Sequence, residues 1–272
     1  MFSPPDALPA DFAEALEQTS RGRLSGPVLY FSEIGSTNDV AVSLASRGDH
    51  EGAVVIADRQ TAGRGRRGHV WFSPPGAGLY VSVVLTPGRA VRLPERATAL
   101  LTLMAGVAIA ESVELTTGLS PEIKWPNDLL MGRRKLSGIL AEGVHSPTAS
   151  AVHSVVLGYG LNVSPAAYPP ELRDRVTSLE SELGRSIDRA QVCAASLSAL
   201  AAHYDDLLAG RYDAILDAWR RRATRAVGAR VSWDHADRVR TGITAGIDDD
   251  GALLVKIGSG LERIVSGEVR WD

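Results

Sequence analysis

Between residues 97 and 110 the chain is apolar almost without a break, with Arg96 before the run and Glu111 after it. A bilayer span takes about 20 such residues, so this run is expected to lie inside the protein, as a helix over residues 94–114. A helix that is apolar on every side must be covered by other elements. The 272 residues, 44% hydrophobic and 22% charged, suffice for one large core with a small companion. They exclude a disordered, collagen-like or coiled-coil chain.

The covering elements are legible as short patterned runs. A helix is expected over residues 11–18 and a strand at PVLYFSE, then a helix capped by Ser36, Thr37 or Asn38 and running to Ala45. Strands are expected at AVVIAD from Ala53 and at LYVSVVL from Leu79, with a Gly- and Arg-rich loop between them. After the apolar helix come a short strand ending at Trp125, a turn, and the strands SGILAEGVH and HSVVLGYGLNV. A polar loop over residues 165–177 leads to helices over 189–209 and 212–225. Beyond Gly228 short strands broken by Gly and Asp suggest a small antiparallel barrel or sandwich, with a tight hairpin turn at residues 248–251. The boundary is placed near residue 227, giving domains 1–227 and 228–272.

Several chemistries drop out. A single cysteine, Cys193 in VCAASLSAL, excludes an internal disulfide and a cysteine-rich zinc module and reads as a buried helical thiol. The six histidines show no metal-binding spacing, so no metal site made by protein alone is expected. A net charge of −3 gives no general basic field for DNA or a membrane surface. The segment MFSPPDALPADFAEALEQ has neither the basic start nor the apolar run of an export signal, so a cytoplasmic location is expected.

Two segments carry the remaining signal. GRGRRG at residues 63–68 matches Gly-x-Gly-x-x-Gly, but a dinucleotide-binding turn opens a helix and is followed about 20 residues on by an acid. Here HVWFSPPGAG follows, with no helical period. The loop is either a solvated basic hairpin or a phosphate-binding wrap in which Arg64, Arg66 and Arg67 hold oxygens. The second segment, residues 124–143, contains Lys124 and Lys135, two of the three lysines in a chain with 29 basic residues, together with Asn127 and Asp128. Where arginine is so common, a retained lysine suggests a place that needs a compact ammonium. Lys124 and Asp128 taken alone would also suit a local ion pair.

On these residues the chain resembles the biotin protein ligases. The resemblance rests on STN at 36–38, QTAGRGRRG at 60–68 with Trp71 beyond, KWPND at 124–128, KLSGIL from Lys135, GYGLN at 158–162 and TSLESELG from Thr177. The motifs keep the family's order across residues 28–183. The resemblance implies an α+β fold, a mixed sheet with helices similar to the catalytic domain of class II aminoacyl-tRNA synthetases, followed by a small SH3-like barrel. It also implies the ligase-only type, since the residues before Val28 leave no room for the DNA-binding domain of the family's repressors.

The implied reaction has two steps. Biotin carboxylate attacks the α-phosphate of MgATP, giving biotinyl-5′-AMP and pyrophosphate. A lysine of the biotin carboxyl carrier protein of an acyl-CoA carboxylase then displaces AMP. By the resemblance, Ser36, Thr37, Asn38 and Gln60 address biotin, with Gly63, Gly138, Gly158 and Gly160 allowing close backbone approach and Trp71 forming a wall. Arg64, Arg66 and Arg67 close over the adenylate, Asn127 and Asn162 meet the nucleotide or its magnesium, and Lys135 bridges carboxylate and α-phosphate, assisted by Lys124 and Asp128. His69 stands where many relatives carry another arginine.

Other readings compete. A lipoate protein ligase shares the chemistry, but its RRxxGGGxVxxD pattern is missing here. A nucleic-acid-binding module would use the same arginines, against the negative net charge. A ligand-binding domain without chemistry would have no use for Lys135.

Overall fold

The protein is described by a computed structural model over residues 2–48, 50–145, 152–235 and 238–271. Its first part contains α1 (Ala10–Glu17), β1 (Val28–Ile34), α2 (Thr37–Ala45), β2 (Val54–Gln60), β3 (Gly78–Leu85) and α3 (Pro94–Thr117). Then follow β4 (Glu122–Lys124), β5 (Asp128–Met131), β6 (Arg134–His145), β7 (Val152–Asn162), α4 (Pro170–Arg173), α5 (Leu179–Leu183), α6 (Arg189–Leu208) and α7 (Tyr212–Arg222). The last part is all β: β8 (Val227–His235), β9 (Arg238–Ile247), β10 (Leu253–Ile257), β11 (Gly260–Ile264) and β12 (Val269–Trp271).

A seven-stranded sheet runs in the order β1-β2-β3-β7-β6-β5-β4. Its β1–β2 pair is parallel and the other pairs are antiparallel, so the sheet is mixed and the class is α+β. The second sheet is antiparallel, in the order β11-β10-β9-β8-β12.

Helix α3 organises the core. Pro94 opens it at a position where a missing N–H costs nothing, and Gly118 closes it in the left-handed conformation at φ 78°. It runs three residues past the expected end and, at 24 residues, is long and apolar enough to cross a membrane by length and composition. Most of its apolar side chains are instead buried, although Leu115 near its end is exposed: Leu100, Met104 and Ile109 share one core with Leu197 and Leu200 of α6 and Trp219 of α7. Each such side chain contributes roughly 1.5–3 kcal/mol on full burial.

Where a turn was expected after Trp125, only residues 126 and 127 turn. Asp128–Met131 forms β5, paired on both sides by β4 and β6, and the pairing partner that makes PNDLLM a strand lies beyond the local pattern. The loop over 165–177 contains the single turn α4. Helix α7 stops at Arg222, short of Arg225, whose backbone N–H and guanidinium both bond Glu122. Ser36 occupies the N-cap of α2 but makes no side-chain cap bond. Cys193 is buried, and burial pushes its thiol up to about 12.

The second sheet docks on the first part at one end of α3. Trp125 Nε1 donates to Gly251 O at 2.9 Å, and Arg96 Nε donates to Asp249 O at 2.7 Å. Gly251, at φ 81°, presses its backbone on the helix so closely that a Cβ there would lie 2.7 Å from Leu103 Cδ1. This docking brings the turn between β11 and β12 up to the arginine loop.

Candidate active site

Two rows of residues across the sheet make the floor of the site. Ser82 of β3, Gly158 of β7 and Leu140 of β6 form one row, and Tyr80, Gly160 and Gly138 form the next. The missing side chains are replaced by others laid flat on the sheet. A Cβ on Gly158 would fall 2.0 Å from Asn38 Oδ1, one on Gly160 2.1 Å from Trp71 Nε1, and one on Gly138 3.0 Å from Trp71 Cζ3.

The start of α2 supplies the polar groups above this floor. The Thr37 N–H and hydroxyl both donate to Gln60 Oε1, at 2.9 and 3.1 Å, and Gln60 Nε2 donates to Ser73 Oγ at 3.0 Å. Asn38 is buried, with Ser82 Oγ at 2.6 Å from its Oδ1 and Glu142 Oε2 at 2.5 Å from its Nδ2. Ser36 and Thr37 are buried beside it. Such a pocket, small polar groups on a glycine floor, suits a flat, mainly apolar ligand with one hydrogen-bonding head.

At the other end the charge is positive. Lys135 Nζ lies 2.7 Å from Asp128 Oδ1 and 5.3 Å from the centre of the Trp71 ring. Its backbone is fixed from both sides: its N–H bonds Arg175 O at 2.8 Å and its carbonyl accepts from Thr177 N at 2.9 Å. Lys124 of β4 is largely buried, and burial holds its ammonium below the usual lysine range, with Lys135 adding to the depression and Asp128 opposing it. No hydrogen bond or ion pair engages it among the described residues. Asn127 donates to Ile139 O at 2.8 Å and accepts from Arg66 Nη1 at 3.1 Å. Asn162 Nδ2 donates to Thr177 O at 2.9 Å.

The loop folds as a small hairpin, with a bridge between Arg64 and Val70 and a tight turn at Arg66–Gly68. Arg64 pairs with Asp39 at 2.7 Å and Glu142 at 3.4 Å. Burial lowers its pKa, but the two carboxylates outweigh that and raise it. Arg66 also reaches Gly267 O at 3.4 Å, and burial depresses its pKa. Arg67, at φ 56°, is exposed. His69 Nε2 lies 3.6 Å from Glu268 Oε2, so the loop rests on the second sheet's turn.

Most of these groups line one cleft of about 430 Å³. It gathers every site residue expected from the sequence except Gly63. That glycine lies behind the wall: its carbonyl accepts Trp71 N–H at 2.9 Å, and a Cβ there would fall 2.5 Å from Trp71 O. Sequence reasoning missed Asp39, Ser82 and Glu142, and also Arg225, Glu268 and Trp271, which line the cleft from the domain junction. Ser82 carried a signal, being a hydroxyl in a strand that is buried throughout.

Residues 30–162 match the Biotin/lipoate A/B protein ligase family, and residues 234–270 match the Biotin protein ligase C terminal domain. The chain is 36% identical over 242 residues to the biotin–[acetyl-CoA-carboxylase] ligase of Mycobacterium tuberculosis, covering 88% of this chain and 86% of that one.

The chain belongs to the biotin protein ligase family.

It is also 36% identical over 244 residues to the bifunctional ligase/repressor BirA of Bacillus subtilis, covering 89% of this chain and 73% of the relative. Among solved structures it is similar to the biotin protein ligase from Aquifex aeolicus in complex with biotin and ATP. There the TM-score is 0.74 and the identity 28%, covering 90% of this chain and 98% of that one. The matched C-terminal domain falls on the second sheet, from β8 to β12.

Proposed function

We propose that the cleft activates biotin with ATP as biotinyl-5′-AMP and passes it to a lysine of a biotin carboxyl carrier protein, as a biotin–[acetyl-CoA-carboxylase] ligase in the cytoplasm. The observation that carries this reading is the place of Lys135. Its ammonium, steadied by Asp128 and the face of Trp71, stands where the glycine-floored pocket meets the arginine loop. In the first step a carboxylate oxygen bonds to the α-phosphorus and pyrophosphate leaves, so negative charge grows between two anions that an ammonium can touch together. In the second step the carrier amine attacks the acyl carbon and AMP leaves.

Ser36, Thr37, Asn38 and Gln60 would hold the ureido head. Arg64, Arg66, Arg67, Asn127 and Asn162 would hold the nucleotide. Among the described residues no group of three His, Cys, Asp or Glu could hold a metal. Magnesium would therefore come as MgATP, kept by phosphate oxygens and water as its octahedral preference favours. Residues 1–227 do the chemistry in this reading, and residues 228–272 brace the loop through Gly267 and Glu268. Pyrophosphate should exchange into ATP only when biotin is present, and a carrier domain should then be labelled at one lysine. Folded protein with magnesium that shows no biotin-dependent exchange would refute the reading.

Two variants refine it. Arg66→Gly removes the bonds to Asn127 and Gly267, so biotinyl-AMP should leave the cleft roughly tenfold faster and label bystander lysines, read by quenched-flow release and mass spectrometry. Lys124, with its pKa lowered by burial, is charged only below that value, so ATP affinity should weaken as pH rises through it, at a pH below the ordinary lysine value of about 10.4. Lys124→Arg cannot lose its proton and should move that fall to higher pH in a titration of ATP KM.

A further inference from the structure

Glu142 stands outside the cleft lining and is the shared partner of two residues that do line it, Asn38 and Arg64. It stands on β6 two residues beyond Leu140, on the side of the sheet over which Asn38 lies, and its Oε2 accepts from Asn38 Nδ2 at 2.5 Å and from Arg64 Nη2 at 3.4 Å. The Asn38 oxygen is fixed at its other end by Ser82 Oγ at 2.6 Å, and the same hydroxyl lies 2.8 Å from Thr37 Oγ1, which bonds Gln60. An ionised carboxylate only accepts hydrogen bonds. It therefore holds the Asn38 amide with its nitrogen toward β6 and its oxygen toward β3, and it presents a charge to the first arginine of the loop.

We infer that Glu142 is a positioning residue for both substrates: it orients Asn38 in the biotin pocket and seats Arg64 at the loop base. This rests on the proposed function. Asp39 separates the two roles, because it pairs with Arg64 at 2.7 Å while, among the described residues, its carboxylate makes no hydrogen bond to the Asn38 side chain. Glu142→Gln keeps the size and one accepting oxygen but removes the charge, so the bonds that Asn38 Nδ2 and Arg64 Nη2 both make to Oε2 lose their charge assistance. It should raise the KM for biotin and the release rate of biotinyl-AMP, each roughly tenfold. Asp39→Asn should raise the release rate and leave the biotin KM as it is. Asn38→Ala should raise the biotin KM alone, and adding Glu142→Gln to it should raise that KM no further, since both act through one contact.

The test measures biotin KM by initial rates and biotinyl-AMP release by chase, with the thermal transition of each variant recorded. If the native chain forms no biotinyl-AMP, the functional reading fails. If the native chain forms it and Glu142→Gln changes neither quantity, or Asp39→Asn changes biotin KM as much as Glu142→Gln does, the positioning role is overturned. If Glu142→Gln does not fold, Glu142→Asp decides the matter, because it keeps the charge but draws the carboxylate back by one methylene from Asn38 and Arg64. Biotin KM and the release rate should then both rise, and a Glu142→Asp variant that changes neither would overturn the role.

Discussion

Lys135→Arg should form biotinyl-AMP roughly 100-fold more slowly while the protein stays folded. The substitution keeps the charge, so a simple electrostatic account predicts little change. The surroundings of Lys135 predict otherwise. Its Cα is fixed by backbone bonds to residues 175 and 177, its Nζ meets Asp128 at 2.7 Å, and the Trp71 ring closes one side at 5.3 Å. A planar guanidinium in that space would form a two-pronged bond to Asp128 and present an edge to the reacting oxygens, whereas a compact ammonium can point one proton at each of two anions. Misplacement by about 1 Å is enough to cost roughly 100-fold. Lys256→Arg provides the control, because Lys256 lies exposed on β10. Single-turnover adenylation of both variants checks the expectation, and near-normal adenylation by Lys135→Arg would remove the lysine from its assigned place.

That lysine was legible because three lysines among 29 basic residues drew attention to residues 124–135. The partners that give it a geometry were less legible. Asp128 and Lys124 looked like a possible local ion pair, yet β5 places Asp128 opposite Lys124 on one side and Gly138 on the other, a pairing set by the register of the β4–β5–β6 meander. Glu142 belongs to none of the motifs in the sequence, and its contact with Asn38 appears only when α2 is laid across β7. The contribution of the second sheet was least legible of all. Arg66 and Gly267 lie 201 residues apart, and no local pattern links them. The same limit applies to the glycines: close approach was expected at residues 138, 158 and 160, while the side chains that fill the space come from elsewhere in the chain.

Gly160→Ala should reduce adenylation by a similar factor, roughly 100-fold, and destabilise the protein by about 1–3 kcal/mol. An alanine in a strand is ordinarily no burden, and glycine there is the costlier residue for folding. At this position the added Cβ would lie 2.1 Å from Trp71 Nε1 and 2.2 Å from Cε2. The strand cannot retreat, because Gly160 is flanked in register by Tyr80 and Gly138 and its carbonyl accepts Ser137 Oγ at 2.7 Å. The indole must move instead, although its own backbone is tied to Gly63 O at 2.9 Å and its carbonyl accepts Ser73 Oγ at 3.0 Å. Moving the ring takes away the surface against which Lys135 rests and tilts the wall between the pocket and the arginine loop. If that collision is the cause, Trp71→Ala relieves it, and the double variant should be no worse than Trp71→Ala alone in stability and in adenylation rate. Losses that simply add in the double variant would show that alanine harms the strand itself, and the glycine floor would then have no part in placing Trp71.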